Sequence, residues 1–132
     1  MAPSPASVRD MATRYAAAWS SQSPEGVASF HAPDGKTAIN GGDELAGRAA
    51  IAEMAAGSYA EFPDLIVHLD DIRAAGNQSV FSWTLEGTHS VTGHKVKVPG
   101  CEEWTLSDDS LVTASLGRFD AVEYDRQVAD GI

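Results

Sequence analysis

Val8, Met11, Tyr15 and Trp19 recur at spacings of three and four, the interval that aligns one face of an α-helix. The pattern predicts an amphipathic first helix with Tyr15 in the middle of its buried face. Ser7 followed by Asp10 resembles a capping box, with Asp in the usual place of Glu. The helix is therefore expected to start there, behind a disordered, frayed tail over residues 1–6, "MAPSPA". Ser23 and Pro24 supply the cap and first position of a short second helix. That helix is expected to end at His31 and to be broken in "HAPDG" by Pro33 and Gly35. "KTAIN" reads as a short strand before a glycine-rich turn at Gly41–Gly42. A third helix is predicted from Leu45 to about Tyr59, with Ile51, Met54 and Ala55 inward, closed by "FPD".

Beyond residue 64 the period switches to alternation. Strands are predicted over 64–72, 78–91, 95–106 and 111–120, separated by turn signals at "AAGN", "TGH" and "SDDS". Strands joined by such short turns form an antiparallel sheet with helices segregated to one face, an α+β domain. No internal repeat or second domain is evident, so residues 7–132 form a single domain.

The third of these strands contains adjacent glutamates, Glu102 and Glu103. Counting by twos puts Val96, Val98, Gly100, Glu102, Trp104 and Leu106 on one face, and Lys95, Lys97, Pro99, Cys101, Glu103 and Thr105 on the other. The first set is the core face, so Glu102 points inward. On the preceding strand Phe81, Trp83, Leu85, Gly87 and His89 share the inner face. On the last, the count assigns Val112, Ala114, Leu116, Arg118 and Asp120 to one side. A carboxyl among apolar side chains either finds a partner or keeps its proton at raised pKa. A neutral carboxyl and a buried tyrosine hydroxyl can together stabilise a developing enolate, which nominates Glu102 and Tyr15. The bland alternatives are a packed Tyr15, Glu102 paired with Arg118 or His89, and Asp120 capping "AVEYDRQ" as a final helix.

Charge and composition remove several partners. Nineteen acidic residues against nine basic ones give a net charge of −10, the wrong sign for nucleic acid or an anionic membrane surface. The single cysteine, Cys101, excludes an internal disulfide and fits a reducing cytoplasm. His31, His68, His89 and His94 show no metal-binding spacing, so no metal is expected. No apolar run is long enough to cross a bilayer, and no cationic leader is visible.

The segments "FPDL", "WTLEGTHSVTG", "GCEEWTL" and "SLGRFDAVEYDRQ" resemble the SnoaL-like polyketide cyclase group of the nuclear transport factor 2-like superfamily, over nearly the whole chain. The resemblance implies a curved antiparallel sheet forming a cone, with about three N-terminal helices on its concave face, and a homodimer through the outer sheet face. "RYAAAW" is similar to the segment of the ketosteroid isomerase branch bearing the oxyanion tyrosine, here Tyr15. The assisting carboxyl of that branch falls on Glu102. Its aspartate base falls on Asn40 in "KTAIN", which cannot take a proton and argues against classical steroid isomerisation. In SnoaL-like cyclases the acid/base is an aspartate near the end of the last long strand, here Asp120 in "GRFD".

The resemblance thus implies a cyclase or isomerase working without metal or cofactor on an apolar, carbonyl-bearing small molecule. Asp120 would be the acid/base, with Glu102 and Tyr15 as oxyanion donors. Trp19, Phe30, Asn40, Met54, Phe62, Trp83, His89, Trp104 and Leu116 are the expected pocket lining. The competing expectation is a non-catalytic ligand-binding or dimerisation domain on the same scaffold. An epoxide hydrolase would need an Asp–Arg–Asp grouping, of which only Arg118 and Asp120 are present.

Overall fold

The computed structural model describes residues 2–132. Helix α1 (Pro5–Ser20) begins earlier than the Ser7 signal, because Ser4 caps it by accepting a hydrogen bond from the Ser7 amide and Pro5 occupies the first helical position. Its buried stripe is Val8, Met11, Ala12, Tyr15, Ala16 and Trp19, the face the periodicity predicts. Helix α2 (Pro24–Ala28) is a single turn capped by Ser23.

The broken segment "HAPDG" is not a helix end. It is the first part of strand β1 (His31–Ile39), whose register with its neighbour shifts between His31 and Lys36, where Pro33 and Gly35 sit. Leu45–Ala46 forms a short strand β2 rather than the start of a helix, and α3 runs over Arg48–Glu61. The remaining elements are β3 (Ile66–Ala75), β4 (Gln78–Thr88), β5 (Lys95–Leu106), β6 (Val112–Phe119) and a fourth helix, α4 (Ala121–Asp130).

The six strands form one sheet in the order β2-β1-β6-β5-β4-β3. All pairs are antiparallel except β1 with β6, which run parallel. The sheet is an open, curved α+β layer, as expected, and helices cover its concave face. The core fills the gap between them: Val8, Met11, Tyr15, Ile51, Phe81, Val96, Trp104 and Val112 are almost wholly inaccessible. Among the described residues no helix is long and apolar enough to cross a membrane.

One irregularity decides what the sheet presents inward. Leu106 pairs with Val112 and Thr105 with Ala114, so β6 spends an extra residue, Thr113, where β5 spends none. The bulge inverts the count beyond it. Ser115 sits opposite Trp104, and Gly117 opposite Glu102, on the inner face. Leu116 turns outward with 48% exposure and Arg118 with it, correcting the side assigned to Ala114, Leu116, Arg118 and Asp120 by uninterrupted alternation.

Candidate functional site

The concave face and the helices above it enclose a cavity of about 310 Å³, at the lower end of the ~300–1,000 Å³ typical of small-molecule sites. Two inner-face glycines beside Glu102 shape it. A Cβ on Gly100 would lie 2.4 Å from the six-membered ring of Trp83, so the missing side chain is what admits the indole. A Cβ on Gly117 would stand 3.8 Å from Glu102 Cγ, so its absence leaves open space over that side chain. Trp19, Ile39, Met54, Phe62, Val67, Trp83, Leu85 and Phe119 give the walls an apolar character.

Glu102 lies at the floor, and its two oxygens are in different circumstances. Oε1 accepts from Ser115 Oγ at 3.0 Å, Trp104 Nε1 at 3.3 Å and Tyr15 Oη at 3.4 Å. Oε2 has no hydrogen-bond partner among the described residues, and it is not a sealed atom, since Glu102 retains accessible area and lines the cavity. Burial raises the Glu102 pKa above the usual carboxylate value, while the hydrogen bonds from Ser115, Trp104 and Tyr15 oppose that rise. Neither suggested ion-pair partner reaches it. Arg118 lies 3.9 Å from Glu103 on the outer face, and His89 lies 3.5 Å from Glu61.

Tyr15 is fixed by its surroundings. Its ring meets those of Phe30, Phe81 and Trp104 edge-on at 5.3–5.4 Å. Burial and the neighbouring Glu102 carboxylate push its pKa well above that of an ordinary tyrosine. It is therefore a proton-holding donor to Glu102. His31, at the start of β1, is buried against Tyr15 with Nδ1 3.2 Å from the Val27 carbonyl, and burial lowers its pKa.

A second polar group lines the cavity nearer solvent. Glu61, at the end of α3, has a side chain 42% exposed, accepts a hydrogen bond from the Tyr124 hydroxyl, and stands 3.5 Å from His89 Nε2. His89 Nδ1 accepts the Val91 and Thr92 amides, both at 3.3 Å, which leaves the ring proton on Nε2, facing Glu61. Thr37 also lines the cavity, is buried, and makes no hydrogen bond through its hydroxyl among the described residues.

The family model for the SnoaL-like domain matches residues 12–114. The chain belongs to the SnoaL-like domain family. No curated protein matches it in sequence. Among solved structures, this SnoaL-like domain is similar to a putative SnoaL-like polyketide cyclase from Jannaschia sp. CCS1, with TM-score 0.78, 16% identity, and coverage of 100% of this chain and 99% of that one. It is similar to a hypothetical protein of ketosteroid isomerase-like fold from Catenulispora acidiphila in complex with trimethylamine, with TM-score 0.78, 19% identity and coverage of 85% and 86%. It also resembles the epoxide hydrolase/cyclase-like enzyme SalBIII of pyran ring formation in salinomycin, with TM-score 0.77, 13% identity and coverage of 87% and 92%. These likenesses establish the cone-shaped fold.

The SnoaL-like domain brings together some of the residues nominated from sequence and separates others. Tyr15, Trp19, Met54, Phe62, Trp83 and Glu102 all line the cavity. Trp104 and Phe30 lie behind it. The Trp104 ring stacks on Phe81 at 5.0 Å, and Phe30 packs against Tyr15. His89 stands behind Glu61 rather than on the wall. Asn40 is exposed at φ +53°, its side chain accepting the Phe119 amide, so it ties two strand ends instead of facing the hollow. Leu116 points outward because of the bulge. Asp120 is exposed and accepts the Glu123 amide as the cap of α4, outside the cavity lining. Sequence reasoning missed Thr37, Glu61, Phe119 and Tyr124, which reach the cavity, and Ser115, which holds Glu102. For Ser115 the available signal was a small polar residue in an apolar strand. Glu61 sits one turn after Ser58 and two turns after Met54 on the same helix face.

Proposed function

We propose that this SnoaL-like domain is an enzyme of the cyclase/isomerase kind, performing acid–base chemistry beside a carbonyl on an apolar small molecule held in the cavity. The observation that carries the reading is the one-sided bonding of Glu102. Three donors fix Oε1, and Oε2 keeps its lone pairs for a ligand. A carboxylate whose pKa burial raises is a stronger base than an exposed one for abstracting a proton next to a carbonyl. In that step the C–H bond breaks, an O–H bond forms on Oε2, and the electron pair moves to the carbonyl oxygen. The free Thr37 hydroxyl is the donor available to that oxygen. In a cyclase the resulting enolate carbon then attacks a second carbonyl.

This assignment gives Glu102 the base role that the sequence resemblance offered to Asp120, and makes Tyr15 a positioning residue that holds Glu102. The test is proton–deuterium exchange in D2O, followed by NMR, on a panel of small diketones and cyclic enones. The wild-type chain is expected to accelerate exchange, and Glu102→Gln to lose about 10²–10⁴-fold of it. Equal exchange by a folded Glu102→Gln variant would remove Glu102 as the base. Binding without exchange favours the second reading, a non-catalytic binding domain, which the lack of a base at Asn40 supports. In either reading a homodimer through the outer sheet face is consistent with Val80 and Leu116, 37% and 48% exposed, and sedimentation would report it.

A further inference from the structure

The cavity is acidic as well as aromatic, and the chain does not balance its charge. Glu102 at the floor and Glu61 toward solvent both line it. Arg118 is the one basic residue among the lining, and its guanidinium is 65% exposed and turned toward Glu103 on the outer face. Beside Glu61 the rings form a continuous band. Phe62 and Tyr124 are 6.1 Å apart between centroids, Tyr124 and Phe119 5.5 Å, and Phe119 and Trp83 6.4 Å. Aromatic faces and a carboxylate attract the same thing, a cation with an apolar surface. A wholly neutral ligand would leave the Glu61 charge facing an apolar surface with no opposite charge on the ligand to meet it.

Glu61 is also held ready for such a group. Tyr124 donates to its Oε1 and His89 Nε2 stands 3.5 Å from the same oxygen, and the Val91 and Thr92 amides orient His89 for that contact. Beside that carboxylate the wall meets the ligand with ring faces, the surface that methyl and methylene groups on a cation contact. An alkylated ammonium, whose charge is spread over methyl or methylene groups, suits the site better than a primary amine.

We infer that the ligand of this cavity carries an alkylated ammonium group, seated at the Glu61 end against Tyr124, Phe119 and Trp83, with its carbonyl end reaching Glu102. The inference rests on the cavity being the ligand site of the proposed function, and it adds the charge of the substrate. A chain of net charge −10 also favours the approach of cations to an acidic mouth.

The experiment compares choline with 3,3-dimethylbutan-1-ol, its neutral carbon isostere, by titrating tryptophan fluorescence, since Trp19 and Trp83 line the cavity. Choline is expected to bind about tenfold or more tightly than the isostere. In Glu61→Gln that preference should fall toward unity, and in Glu61→Asp it should largely persist. Equal affinity for the two probes in the wild-type chain overturns the ammonium inference while leaving the cavity and the carbonyl chemistry intact. A preference unchanged in a folded Glu61→Gln variant also overturns it. Absence of binding by both probes overturns the inference together with the ligand-site reading beneath it. The wild-type comparison needs no variant to fold.

Discussion

Replacing Ser115 by Ala isolates the hydrogen bond that most stabilises an ionised Glu102. Ser115 is 1% exposed, and its hydroxyl lies 3.0 Å from Oε1, closer than Trp104 at 3.3 Å or Tyr15 at 3.4 Å. A hydrogen bond to a charged group contributes about 1.5–3 kcal/mol, and a neutral one about 0.5–1.5 kcal/mol. Ser115→Ala should therefore destabilise the ionised form more than the protonated form and push the Glu102 pKa further up. The direction of the stability effect follows from linkage. Glu102 already has a folded pKa above its unfolded value, so its contribution to stability is complete below the unfolded carboxylate range and is lost as pH rises through the folded value. The variant should thus lose more stability on the alkaline side of that titration than on the acidic side. The assay is a pH titration of ¹³C-labelled glutamate side chains, with urea unfolding on both sides of the transition. Tyr15→Phe, which removes a longer bond, should move the titration less. The reasoning is refuted if Ser115→Ala leaves the Glu102 titration in place, or if Tyr15→Phe displaces it more.

Two other outcomes follow from the geometry around the cavity. Gly100→Ala puts a Cβ 2.4 Å from the Trp83 ring and 2.7 Å from the Arg118 carbonyl, and it should cost about 1–3 kcal/mol in urea unfolding while shifting tryptophan emission as the indole moves. Asp120→Ala should cost about 0.5–2 kcal/mol through loss of the α4 cap and leave the affinity for cavity ligands unchanged; a loss of exchange activity beyond the stability effect would return Asp120 to the chemistry.

The inner placement of Glu102 was legible because β5 alternates without interruption from Lys95 to Leu106, and an acidic residue in an apolar row is conspicuous. The buried stripe of α1 was legible for the same kind of reason, a strong period in a long element. The last strand was not, because the bulge at Thr113 depends on how two strands pair and leaves no local signature in "LVTASLG". That one residue misassigned Leu116 and hid Ser115 and Gly117. The segment "HAPDG" misled in the opposite way: its Pro and Gly look like a helix break, yet they fall in a register shift inside β1, between pairing with β6 at His31 and from Lys36 onward. Glu61, His89 and Tyr124 come from α3, the residue just past β4, and α4, and their meeting is a product of packing that no spacing along the chain announces.

The extra residue in β6 also bears on how such a scaffold changes its chemistry. Pairing β6 with β5 without the bulge would shift everything from Thr113 onward by one residue, exchanging Ser115 and Gly117 for Ala114 and Leu116 on the concave side. The carboxylate would lose its nearest donor and gain an isobutyl group in the hollow beside it. A one-residue slip in strand pairing would then convert a reactive chamber into a plugged one, so the alignment of two neighbouring strands decides whether this scaffold has a usable hollow.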